Sequence, residues 1–142
     1  MPVRIERSAG VLLYRGSDSD PHFLLLDYGK HWDYAKGHVE KGEDDLSAAT
    51  RELAEETGIT DAEFDPAFRH EMTYFFQHKK KGLIKKTVVY FLAKTQAAAA
   101  TISDEHVGAE FLPYEKALER VTYANAKDAL RAAKAFLDAR RR

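Results

Sequence analysis

Between two glycines, the stretch GHVEKGEDDLSAATRELAEETGI (residues 37 to 59) crowds Glu40, Glu43, Asp44, Asp45, Glu52, Glu55 and Glu56 into one short segment. From Asp44 to Thr57 the apolar positions Leu46, Ala49 and Leu53 recur at helical spacing, and Gly58 stands where a C-terminal cap belongs. At roughly 100° per residue, Leu46, Ala49 and Leu53 share one side of this helix, and Glu52, Glu55 and Glu56 fall within about a 100° arc of the other. Like charges three or four apart repel, so a folded domain keeps such a triad only where something offsets the repulsion. A hard divalent cation does so: it takes oxygen ligands, one or two carboxylates with waters and substrate phosphates. A solvated acidic face is the ordinary reading of a lone Glu-Glu pair. Arg51 among the carboxylates, Glu43 near the positive end of the helix, and a glycine at each end argue against it here.

The rest of the chain supplies a sheet. SAGVLLYRG and HFLLLDYG read as two strands joined at SDSDP, and FRHEMTYFFQH and IKKTVVYFLAKT as a second pair joined at KKKG. GAEFLPY reads as one more short strand. A closing helix over about 125 to 140 carries Ala129, Ala132, Ala133, Phe136 and Leu137 on one stripe, with basic residues at its end. TQAAAATISDEH has no period and reads as a loop, and only the final Arg-Arg-Arg reads as a disordered tail. Strands and helices without a regular βαβ rhythm predict an α/β fold, a mixed sheet covered by helices.

A length of 142 residues fits one domain, expected to span 1–142. A formal net charge of -1 gives no bulk electrostatic argument for a nucleic-acid or membrane partner. The N-terminal apolar run is too short for a signal peptide, and no 18 apolar residues run together. The absence of cysteine removes disulfides, thiolate metal sites and cysteine nucleophiles, and is compatible with a reducing cytoplasm, the expected location.

Position for position, Gly37, Glu43, Arg51, Glu52, Leu53, Glu55, Glu56, Gly58 and Ile59 match the box of the Nudix hydrolase family, and the chain resembles that family. The resemblance implies an α/β/α sandwich and magnesium- or manganese-dependent hydrolysis of a nucleoside diphosphate linked to another group. It makes Glu52, Glu55, Glu56 and the Gly37 carbonyl metal ligands, with Arg51 and Glu43 bracing loop and helix. The general base differs between members; Glu105, in SDEH, is the candidate outside the box, as base or ligand.

Outside the box, HWDYAKGHVEKGEDDL, KKTVVYFLA and SDEHVGAEFLPYEKAL resemble the asymmetrical diadenosine tetraphosphate hydrolases within that family. That resemblance implies a small-molecule substrate split into ATP and AMP. Alternatives are another dinucleoside polyphosphate, an RNA 5' end, a diphosphoinositol polyphosphate, or a non-catalytic nucleotide sensor. Where the group has proline before Lys-Gly, this chain has Ala35, expected to soften the loop carrying Lys36.

A tetraphosphate needs cations along its path, for which Lys36, Lys79, Lys80, Lys81, Lys85 and Lys86 are candidates. Lys36 and Lys85, in matched stretches, are the leading candidates, with hydrogen bonds from His31 and His38; the Lys79 to Lys81 run reads equally as a solvated turn. Tyr74 and Tyr123 are candidates to stack an adenine. Trp32 reads as packing. His106 is a phosphate ligand or a satisfied structural histidine.

Overall fold

The computed structural model describes residues 3–140; Arg141 and Arg142, most of the expected tail, lie outside the described residues. In chain order the elements are β1 (Arg4–Arg15), β2 (His22–Asp27), β3 (Trp32–Asp33), β4 (Ala35–His38), α1 (Asp45–Thr57), β5 (Glu63–Phe64), β6 (His70–His78), β7 (Gly82–Lys94), β8 (Gly108–Pro113), α2 (Tyr114–Arg120) and α3 (Ala124–Arg140). All eight strands join one mixed sheet in which β1 is central. It runs parallel to β7 from Arg4↔Ile84 to Tyr14↔Lys94, and antiparallel to β4 and β2. β6 pairs with the far edge of β7 and β8 with β2, both antiparallel.

Residues 8 to 14 of β1 are buried without a break, which a strand tolerates only when both faces of the sheet are covered. Successive side chains point to opposite faces. Ala9, Val11 and Leu13 therefore pack with Ala48, Ala49 and Leu53 of α1, and Leu12 and Tyr14 pack with Ala129, Leu130, Ala133 and Leu137 of α3. The result is the expected α/β/α sandwich. No helix among the described residues is long and apolar enough to cross a membrane.

Both expected hairpins form, as do the acidic and closing helices. α1 starts where Asp44 accepts a hydrogen bond from the Ser47 amide (2.7 Å) and stops at Gly58, whose φ of 72° is a left-handed cap donating to the Ala54 carbonyl. Two expectations need correction. The segment carrying Lys36 is a strand, not a soft loop: Ala35 is buried and pairs with Val11, so the sheet ladder holds the backbone that proline would otherwise have stiffened. Leu46 is 44% exposed, and the inward face of α1 is built from Ala48, Ala49, Leu53, Glu56 and Thr57. Leu46 lies in the open first turn, and the small alanines let α1 approach the sheet closely. β3, β4, β5 and α2 were not foreseen: three are too short for a period to register, and α2 continues directly from β8.

Candidate active site

α1 lies over β4, and this contact sets the geometry of the carboxylates. A Cβ at Gly37 in β4 would overlap the Glu52 carboxylate, so only glycine leaves room for Glu52 against the strand backbone. Arg51 collects the neighbouring acids. Its Nε donates to Glu43 Oε2 (2.8 Å), Nη2 to Glu43 Oε1 (3.0 Å) and the His38 carbonyl (3.1 Å), and Nη1 to Glu52 Oε1 (2.9 Å) and Glu55 Oε2 (3.2 Å). A guanidinium fork suits this multidentate task and an ammonium does not. Glu43, bonded by Arg51 and by the Glu40 amide, is held down at about 2.

Glu56 is the outlier. It is 5% exposed and faces inward, which corrects its expected place on the side opposite the apolar residues. At roughly 100° per residue its direction lies only about 20° from that of Ala49. Its Oε2 accepts the Lys36 amide proton (3.1 Å). Burial, then the nearby charges of Glu52, Glu105 and Glu55, push its carboxyl up to about 8.

Glu105 reaches this cleft from the segment between β7 and β8. The Thr101 amide donates to the Thr57 carbonyl (2.8 Å) and the Ser103 amide to the Glu56 carbonyl (3.1 Å), satisfying the open C-terminal end of α1. The turn at 103 to 106 is closed by the His106 amide on the Ser103 carbonyl (3.1 Å) and by a bond shared between Ser103 Oγ and His106 Nδ1 (2.9 Å). The cleft so formed, about 420 Å³, is lined by Lys36, Gly37, Glu52, Glu55, Glu56 and Glu105 among others.

Among the described residues no three His, Asp or Glu side chains are gathered closely enough to hold one ion. The donor set nonetheless fits a hard divalent cation: five glutamates and Gly37 line one cavity, and burial first, then neighbouring charges, leads one acid to hold its proton.

A second cleft, about 350 Å³, adjoins the first and shares Lys36 with it. Its walls include His31, Asp33, Tyr74, Tyr90 and Tyr123. Lys36 Nζ pairs with Asp33 (3.0 Å), a buried carboxylate. His31 lies parallel to Tyr28, with ring centroids 4.8 Å apart and an interplanar angle of 3°, and its other neighbour is Tyr123 at 5.2 Å. The hydroxyl of Tyr90 is buried without a hydrogen-bond partner among the described residues.

The structure thus brings Lys36, His31, Tyr74 and Tyr123 to the aromatic cleft, and His38, whose carbonyl accepts from Arg51, to the acidic one. Lys85 is not brought in. It is exposed, pairs with Phe75, and points to the opposite face of the sheet from Tyr90. Lys86, which pairs with Tyr74 and is the lysine of the Lys-Thr-Val-x-Tyr pattern, points to the cleft side. His106 is buried, its Nε2 has no hydrogen-bond partner among the described residues, and burial lowers its pKa. Trp32 is partly buried against the core on the α3 side, with Arg120 over its ring at 4.8 Å. The sequence reading overlooked Asp33, Tyr28 and Tyr90. Tyr90 alone had a usable signal, closing the matched Lys-Thr-Val-x-Tyr stretch.

Comparison with known proteins agrees with this architecture. The family model for the NUDIX domain matches residues 4–134. The bis(5'-nucleosyl)-tetraphosphatase [asymmetrical] of Mus musculus is 34% identical over 92% of this chain and 95% of its own, and that of Caenorhabditis elegans 34% identical over 94% and 97%. The crystal structure of a C. elegans Ap4A hydrolase binary complex superposes with a TM-score of 0.82 at 33% identity, covering 94% of this chain and 98% of the other. With its box intact, its carboxylates gathered over β4 and its sandwich matched along nearly the whole chain, the protein belongs to the Nudix hydrolase family.

Proposed function

We propose that this enzyme hydrolyses diadenosine tetraphosphate to ATP and AMP with magnesium, or manganese, as its ion. Enzymes of the family work with divalent metal ions, and the relatives of matching length are named for cleaving a dinucleoside tetraphosphate asymmetrically. The observation that carries the reading is the pair of clefts joined at Lys36: one aromatic, sized for a base, and one acidic, suited to cations that meet phosphates.

An adenine stacks on Tyr74 and Tyr123 in the aromatic cleft, where each base–ring contact contributes about 1–3 kcal/mol. His31 supports Tyr123 from behind. Lys36 and Lys86 meet the polyphosphate as it leaves the cleft, with His38 at the rim; we assign Lys86 this role in place of Lys85. Glu52, Glu55, Glu56 and the Gly37 carbonyl would hold the ion, braced by Arg51 and Glu43, and it would supply charge stabilisation at phosphate oxygens and a water of lowered pKa. Water oxygen adds to a phosphorus, the P–O–P bond breaks, and ATP and AMP separate. Glu105, which makes no ion pair among the described residues and comes from a different segment, accepts the water proton. We take residues 1–142 to act as one domain and place the enzyme in the cytoplasm.

The test is incubation of the purified chain with diadenosine tetraphosphate and magnesium, with products resolved by chromatography. Equimolar ATP and AMP are expected. Two ADP, or no turnover, would overturn the assignment, and a panel of dinucleoside polyphosphates, capped RNA and diphosphoinositol polyphosphates ranks the substrates.

A further inference from the structure

The two clefts are connected by more than Lys36. Four rings run from the aromatic cleft to the neighbour of Glu105: Tyr123 meets His31 (5.2 Å between centroids), His31 stacks on Tyr28 (4.8 Å, 3°), and Tyr28 meets His106 edge-on (4.4 Å, 69°). We propose that His106 is a positioning residue: through Tyr28 and His31 it couples occupation of the aromatic cleft to the placement of the Glu105 carboxylate in the acidic one. This rests on the assignment above of the aromatic cleft to a base and of Glu105 to the reaction.

The middle of the array is fixed. The Tyr28 amide donates to the His31 carbonyl (2.9 Å) and its hydroxyl donates to the Tyr34 carbonyl (2.9 Å), so the ring cannot swing away from its neighbours. Its far neighbour, His106, is 6% exposed, and among the described residues its imidazole makes one hydrogen bond, shared between Nδ1 and Ser103 Oγ in the same turn, with Nε2 unpartnered. The Tyr28 ring and Ser103 therefore decide where the imidazole sits. Glu105 is the adjacent residue, so the imidazole in turn decides how the turn presents its carboxylate. The lever is short: the Val107 amide donates to the Asp27 carbonyl (2.8 Å), placing Tyr28 and His106 one residue each from the same bond.

Close packing gives such an array its effect. Interiors are dense enough that a displaced ring moves its neighbour instead of filling a void. A base that stacks on Tyr123 and presses on His31 shifts the balance of ring positions at Tyr28 and His106. Coupling of this kind is reciprocal, so an ordered Glu105 turn also favours a base-ready His31 and Tyr123.

Adenosine tests this without metal or phosphate, because it fills the base site and has no group to reach the acidic cleft. It is titrated into the isotopically labelled chain while backbone amide resonances are followed. The expected result is a shift at Tyr123 and His31 and a second at Glu105 and His106, all on one binding curve. In His106→Phe, which keeps a ring against Tyr28 and loses the Ser103 bond, and in His106→Asn, which keeps that bond and loses the ring, Tyr123 still responds and the Glu105 response falls by at least half. With diadenosine tetraphosphate and magnesium, both variants lose about tenfold in kcat, with KM within about twofold, as expected for a misplaced reacting group. A Glu105 amide that stays still while Tyr123 moves overturns the coupling, and so does a full Glu105 response in both variants. A Tyr123 that itself stays still at saturating adenosine overturns the base assignment, and the coupling with it. The wild-type titration decides the question even if neither variant folds.

Discussion

Replacing Glu56 by Gln is expected to make the metal-free protein more stable while removing its activity. Glu56 is held at about 8, against an ordinary 4.5, by burial first and then by Glu52, Glu105 and Glu55. Because the folded value is raised, the unfolded chain gives up its proton at lower pH than the folded one. The resulting penalty is absent below pH 4.5, grows as the pH rises, and levels off above about 8. Between 4.5 and 7 each pH unit adds about 1.4 kcal/mol, an upper limit of about 3 kcal/mol at pH 7; allowing for relaxation we expect about 1–3 kcal/mol. Glutamine has the same shape, no charge, and an oxygen that can accept the Lys36 amide proton now bound by Glu56 Oε2. The assay is urea denaturation of both proteins in chelator at pH 4 and pH 7. The variant should match wild type at pH 4 and exceed it at pH 7. Saturating magnesium with nucleotide should stabilise wild type more than the variant, since only binding to the folded state adds stability. Turnover by the variant should fall about 10³-fold. A wild type as stable as the variant in chelator at pH 7, or a difference that ignores pH, would refute the claim that burial and neighbouring carboxylates penalise the charged form of Glu56.

Three further outcomes follow from the same structure. Gly37→Ala should lower kcat/KM by at least about tenfold with an unchanged circular dichroism spectrum, because the new methyl displaces the Glu52 carboxylate. Asp45→Asn should cost about 1–2 kcal/mol at pH 7 in urea denaturation. Asp45 accepts from Arg7 Nε and Nη2 (both 2.7 Å) and from Arg69 (3.0 Å), which hold its carboxyl below the usual range, so the cost should shrink as the pH falls through the folded value and the carboxylate is lost in wild type. Leu137→Ala, at a fully buried position of α3, should destabilise by about 2–5 kcal/mol and leave KM unchanged, because Leu137 lines neither cleft.

By itself the sequence determined what depends on neighbours a few residues apart. Asp44 and Gly58 set the ends of α1, the three-and-four spacing of Glu52, Glu55 and Glu56 put them on one helix, and the turn residues at 17 to 21 and 79 to 82 placed two hairpins. These are short-range rules, and a fixed spacing of box residues carries them to a reaction class. What the tertiary structure decided is which way each group faces. Period-two alternation makes Lys85 and Lys86 equivalent until the register of β7 against β6 sends one toward Tyr74 and the other away. A helical wheel sets Glu56 beside Ala49 but cannot say how deeply it is buried, and only the approach of α1 to Gly37 shows Glu52 lodged against a strand. Tyr28 and His106 are far apart in the chain and become ring neighbours because β8 pairs with β2 and brings the 103 to 106 turn beside its end. Contacts of that range arise from sheet pairing and packing, which no local pattern encodes.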